Sequence, residues 1–128
     1  VDSAGTANYH TGDKAHRGTL RTLSKHGISY DGRARQIKAD DLRRFDYVLT
    51  MDLANLEDVQ RLAASNKQDT DSAPEIAMFL SYANAAGTIT GTEQVPDPYF
   101  DGRFDDVYEL VSKGSEALLN HIRHTHKI

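Results

Sequence analysis

The sequence predicts an α/β domain layered around a parallel sheet, and three observations predict it. Residues 46–51 (Asp-Tyr-Val-Leu-Thr-Met) form a short, nearly continuous apolar and β-branched run, the pattern of a strand covered on both faces. Helical spacing stands on either side of that run. At the end of the chain, Phe104, Val107, Leu110, Val111, Leu118 and Ile122 recur at intervals that fit one face of a long helix over about 103–122. Strands alternating with helices pack as helix, sheet and helix in three layers.

The remaining elements follow in order. Residues 1–4 read as the end of a strand, leading into a turn at Gly5. Residues 13–26 read as a helix with Leu20 and Leu23 on its apolar edge. Gly27 falls where a left-handed residue ends a helix, and Ile28 follows as its hydrophobic stop. Residues 34–37 read as extended, and 39–45 as a short helix with acids first and arginines last, as the macrodipole favours. Asp52 is placed to cap a helix over about 53–64, with Leu56, Val59 and Leu62 inward. Residues 65–74 form a polar loop, 75–82 an apolar run that fits either helix or strand, and 84–94 a loop rich in Gly and Thr. There are no repeats and no second domain in the 128 residues.

Composition narrows the function. With 38% hydrophobic and 27% charged residues, and a formal net charge of -4, the chain reads as globular and has no basic stripe for nucleic acid. No apolar run reaches the length of a membrane span or a signal-peptide core, so a cytoplasmic location is expected, with no membrane partner. The absence of cysteine removes disulfides, thiolate zinc sites and a cysteine nucleophile from these residues. The chain opens on Val1 inside a strand-like segment, so further residues are expected upstream.

The segment richest in chemistry is Val95-Pro96-Asp97-Pro98-Tyr99-Phe100. Each proline fixes its own φ, and Pro98 drives Asp97 out of the α region. A carboxylate held that way beside two aromatic rings fits a positioned proton donor over a flat substrate; it also fits a plain Asx turn between prolines. His121, His124 and His126 lack a carboxylate or Cys at ligand spacing, so a solvated helix end is preferred to a metal site. Glu57, Asp58, Asp105 and Asp106 read as charges complementing helix N-termini.

Five segments carry a family resemblance: Val1-Asp2-Ser3-Ala4-Gly5-Thr6, Lys25-His26-Gly27-Ile28, Ala34-Arg35-Gln36-Ile37, Phe45-Asp46-Tyr47-Val48-Leu49-Thr50-Met51-Asp52 with Asn55-Leu56, and Asp97-Pro98-Tyr99-Phe100. In this order, over essentially the whole chain, they resemble the low-molecular-weight protein tyrosine phosphatases. The resemblance implies a four-stranded parallel sheet with helices on both faces. It implies a Cys-x-x-x-x-x-Arg loop between a first strand and first helix, neither of which this chain contains; that half of a βαβ unit and its flanks amount to roughly 30 residues. The sheet is then expected to have a gap, and this chain alone to be inactive.

The same resemblance implies hydrolysis of an aryl phosphate or a phosphotyrosine protein through a phosphocysteine, with a phosphate or other oxyanion at the site and no cofactor or metal. Asp97 becomes the general acid and base. Tyr99 and Phe100 flank the substrate ring, Tyr9 and His10 form the opposite wall, Ser3 corresponds to a buried serine that braces the phosphate loop, and Asp52 supports the site beyond its capping role. Gly32 stands where many relatives carry a bracing histidine, so that brace is missing here. An arsenate reductase or phosphoarginine phosphatase on the same fold, or a non-catalytic binding module, are the competing expectations. The aromatic pair after Asp97 favours an aryl substrate, and retention of the acid argues against the module.

Overall fold

The computed structural model describes residues 1–66, 73–99 and 102–128. Its elements are α1 (Arg17–Lys25), α2 (Asp41–Arg44), β1 (Tyr47–Thr50), α3 (Leu53–Ser65), β2 (Glu75–Met78), α4 (Ser81–Ala85) and α5 (Phe104–His126). The alternation predicted from the sequence is present. β1 and β2 pair in parallel, with Tyr47 opposite Glu75 and Thr50 opposite Met78, and α3 lies on the connection between them. The ambiguous run 75–82 divides: its first four residues are β2, and the chain turns into α4 after Phe79 donates its N–H to the Thr50 carbonyl at 2.8 Å. Asn84, placed in a loop by composition, belongs to α4, where its side-chain amide donates back to the Leu80 carbonyl.

The core sits where α3, β2, α4 and α5 meet. Leu80 and Ala83 are wholly buried, with Val59, Met78, Phe79 and Ala117 nearly so. α5 approaches this layer so closely that a Cβ on Gly114 would lie 2.5 Å from the Phe79 ring and 3.1 Å from Leu80. Glycine is required there for packing rather than for backbone freedom.

Several boundaries differ from expectation for identifiable reasons. α1 starts at Arg17, not at 13, because the backbone before it is engaged in extended pairing. Lys14 bridges antiparallel to Arg33, Gly12 donates to the Ala34 carbonyl, and Ala34 donates to that of Asp13. The end of α1 is as predicted: Gly27 has φ +72° and donates to Ser24, while Ile28 donates to Leu23, the paired bonds of a Schellman motif. α5 runs to His126, four residues past the expected end, and stops at Lys127 with φ +56°.

The C-terminal histidines lie on a solvated helix end as read, with His124 and His126 exposed and His121 half-buried, but two of them also make ring contacts. His126 Nε2 is hydrogen-bonded to the Tyr47 hydroxyl at 2.8 Å, and the His121 ring lies 4.6 Å from that of Tyr82. Burial, followed by the Glu75 carboxylate that its hydroxyl donates to, raises the Tyr82 phenol well above its usual value. No described group of three or more His, Cys, Asp or Glu side chains is placed to hold a metal.

The front of the chain is where the sheet falls short. Residues 1–4 are not a strand; only Gly5 bridges in parallel to Gln36, donating to the Arg35 carbonyl and accepting from Ile37, both at 2.8 Å. Among the described residues the sheet has two strands, one fewer than the three expected to remain of the family's four, and β1 is half-buried over Tyr47–Leu49 because no described strand pairs with its second edge. Asp41, expected as a macrodipole charge on α2, is instead buried. It takes two hydrogen bonds from the Arg35 guanidinium (2.9 and 3.1 Å) and one from the Lys38 N–H. The Arg35 bond holds the Asp41 carboxyl below its usual range against the opposing effect of burial. Arg35 also reaches Asp2, tying the first residues to this pair.

Candidate active site

Ligand sites in open α/β sheets lie beyond the carboxyl ends of the strands, and the Asp97 loop is attached at that end of β1. Val95 donates its N–H to the Met51 carbonyl at 2.8 Å, and Gln94 Oε1 accepts from the Leu53 N–H at 3.0 Å. Asp52 stands between these two anchors and accepts from the Asn55 N–H at 2.8 Å, capping α3 as predicted. Asp52 therefore lies beside the point where the Asp97 loop is attached.

Asp97 itself is exposed. Its Oδ1 accepts the Tyr99 N–H at 2.9 Å, the Asx turn that the proline-bracketed sequence allows. Tyr99 is 67% exposed, and its ring stands edge-on to His16, with centroids 5.5 Å apart at 88°. Phe100 lies outside the described residues, so its assignment as a wall stays an expectation.

His16 was not singled out in the sequence, where it sits inside the expected helix. In the structure it is the N-cap of α1: its Nδ1 accepts the Gly18 N–H at 2.9 Å. The same ring stacks on Phe104, the first residue of α5, at 5.1 Å and 21°. The signal for it was weak, a histidine two residues before a glycine, because the partner ring lies almost ninety positions away in the chain.

The other candidates fall in two further places. Tyr9 and His10 sit on an exposed turn, ring to ring at 4.7 Å, with His10 Nδ1 3.2 Å from an Asp13 carboxylate oxygen. Ser3 lines a cleft of about 190 Å³ between residues 2–6 and the unpaired edge of β1, which Ile37, Asn55 and Val59 help to enclose. Ser3 was expected buried; it is exposed, because no described element fills that cleft from above. At Gly32 the Tyr30 hydroxyl occupies the space that a side chain would need.

The comparisons with known proteins agree with this architecture. The family model of the low molecular weight phosphotyrosine protein phosphatases matches residues 1–127. YfkJ of Bacillus subtilis, a low molecular weight protein-tyrosine-phosphatase, is 36% identical over 124 residues, 96% of this chain and 74% of its own. A Streptomyces coelicolor protein of the same description is 35% identical over 96% of this chain and 73% of its own. The crystal structure of YfkJ superposes with a TM-score of 0.83 over 97% of this chain and 73% of that one. The Drosophila arginine phosphatase superposes at 0.81 with 30% identity, over 95% and 76%. With a parallel α/β core, a proline-locked acid at the carboxyl end of β1 and a family match across nearly its whole length, the chain belongs to the low-molecular-weight phosphotyrosine protein phosphatase family.

Proposed function

We propose that these residues carry the general acid and the substrate walls of a phosphotyrosine phosphatase, with the nucleophile supplied from outside the 128-residue sequence. The carrying observation is the Asp97 turn: an exposed carboxylate locked by two prolines, bonded to the Tyr99 N–H and anchored to the end of β1. In the reaction, a cysteine thiolate attacks phosphorus and the bond to the phenolic oxygen breaks. Asp97 gives its proton to the departing phenolate. The Asp97 carboxylate then takes a proton from the water that cleaves the phosphocysteine, which returns the thiolate and releases phosphate. Tyr99 and Phe100 flank the substrate ring, Tyr9 and His10 line the opposite wall, and Ser3 braces the phosphate loop from the cleft beside β1. Asp52 holds the turn beneath.

The test is turnover of a phosphotyrosine peptide by the chain alone and by the chain joined to a strand, Cys-x-x-x-x-x-Arg loop and helix at its front. The chain alone is expected to be inactive. The completed protein is expected to turn over, and Asp97→Ala to lower its kcat about 10²- to 10⁴-fold. Turnover indifferent to Asp97→Ala sinks the reading. The structural likeness to an arginine phosphatase supports phosphoarginine as a second substrate. A preference for phosphoarginine over phosphotyrosine in the same assay selects it.

A further inference from the structure

The geometry points to His16 as the residue that positions the Asp97 loop, acting through Tyr99. Three contacts meet at one imidazole. Its Nδ1 is used by the Gly18 N–H at the start of α1, which leaves Nε2 to carry the proton of the neutral ring and fixes the ring plane. One face is stacked on Phe104 at the start of α5. The edge-on contact with Tyr99 completes the set. Tyr99 in turn gives its N–H to Asp97 Oδ1, so a ring held by His16 is one hydrogen bond from the carboxylate.

The surroundings are shaped for this contact. A Cβ on Gly18 would collide with the Phe104 ring, so glycine lets Phe104 slide against the first turn of α1, where it supports His16. His16 thus links three separate parts of the chain: the start of α1, the start of α5 and the loop of the acid. A cap alone needs only a short acceptor such as Asn or Ser. The aromatic ring is what reaches Tyr99. The proposal rests on the reading of Asp97 as proton donor, and it adds how that donor is held in place.

Two substitutions separate the ring from the cap. His16→Asn keeps a capping acceptor and removes the ring; His16→Phe keeps a ring and removes the acceptor. In the 128-residue chain, amide exchange at Tyr99 is read by NMR. Exchange is expected to quicken about tenfold in His16→Asn, the worth of one aromatic pair, and to stay within about twofold in His16→Phe. The Gly18 amide is expected to respond the other way round. An equal response of Tyr99 to both variants, or none to His16→Asn, overturns the proposal. In the protein completed with its nucleophile loop, His16→Asn is expected to lower kcat about tenfold with KM within about twofold, and His16→Phe to restore it. If Asp97→Ala leaves turnover intact while Tyr99 still responds, the proton-donor reading fails and the seating of the loop stands. If Asp97→Ala abolishes turnover while Tyr99 is indifferent, the donor stands and the positioning role fails.

Discussion

The two edges of β1 are held by different kinds of force. On one edge the main chain of β2 completes a parallel ladder, with Leu80, Val59 and Phe79 packed beneath it. On the other lies a cleft; residues 1–37 are joined to one another by the Gly5–Gln36 and Lys14–Arg33 bridges and the Arg35–Asp2 pair, and to the rest of the chain by the Arg35–Asp41 and Lys25–Asp105 pairs and the packing of α1 on α5. The first side resists through buried apolar area, which is indifferent to pH. The second adds to its α1–α5 packing the charges around Asp41 and several ring contacts, so acid and single side-chain deletions act on it more than on the first. Of the candidate site residues, Ser3, Tyr9 and His10 sit on this second side, whereas Asp52 and the Asp97 loop are attached at the end of β1.

The largest effect tests the first side. Gly114→Leu forces a side chain into Phe79 and Leu80 and is expected to cost about 3 kcal/mol in chemical denaturation. It should loosen the β1–β2 amides along with everything else. Asp41→Ala attacks the second side. A loss of about 2 kcal/mol is expected, less than for a fully buried pair because Arg35 keeps 32% of its side chain exposed. Hydrogen exchange at Gly5 and Ile37 should quicken while the Val48 and Ala77 amides hold; uniform quickening would erase the distinction between the two sides.

The same pair fixes the acid response. Asp41 titrates below its ordinary value of 3.8 because Arg35 donates to it, so its folded pKa is depressed. Its contribution is therefore complete above that ordinary value and is lost as pH falls through the folded one. Asp41→Ala is expected to flatten the acid limb of stability against pH, and Gly114→Leu to leave its shape unchanged. Asp52→Ala, which removes the α3 cap, is expected to cost about 1 kcal/mol. Lys25→Ala breaks a pair to Asp105 in which both side chains are more than half exposed, and a change under about 0.5 kcal/mol is expected in the same titration.

What the sequence made legible follows from the range of the interactions. β1, the Asp52 cap and the Gly27 C-terminus were readable because each is decided within a few residues, by β-branching, a side-chain acceptor or a left-handed φ. The Asp97 turn was readable for the same reason. His16 and the Tyr47–His126 bond were not, because their partners lie in distant segments that local periodicity does not reveal, and Asp41 was not, for a different reason. Asp41 is the instructive case. An acid at the start of a helix has a sufficient local explanation in the macrodipole, and Arg35 six residues earlier overrides it. The short front strand failed for the converse reason: its pattern was strand-like, but pairing needs a neighbour as well as a propensity.

The spacing of β1 and β2 along the chain has a kinetic consequence. Tyr47 meets Glu75 after 28 intervening steps, whereas Lys25 meets Asp105 only after 80. Closing the shorter loop costs less entropy, so the β1–α3–β2 unit is expected to assemble ahead of the docking of α1 on α5. Destabilising substitutions at Val59 should then slow refolding, and those at His26 or Tyr108, whose rings stack at 3.8 Å across that late contact, should instead hasten unfolding.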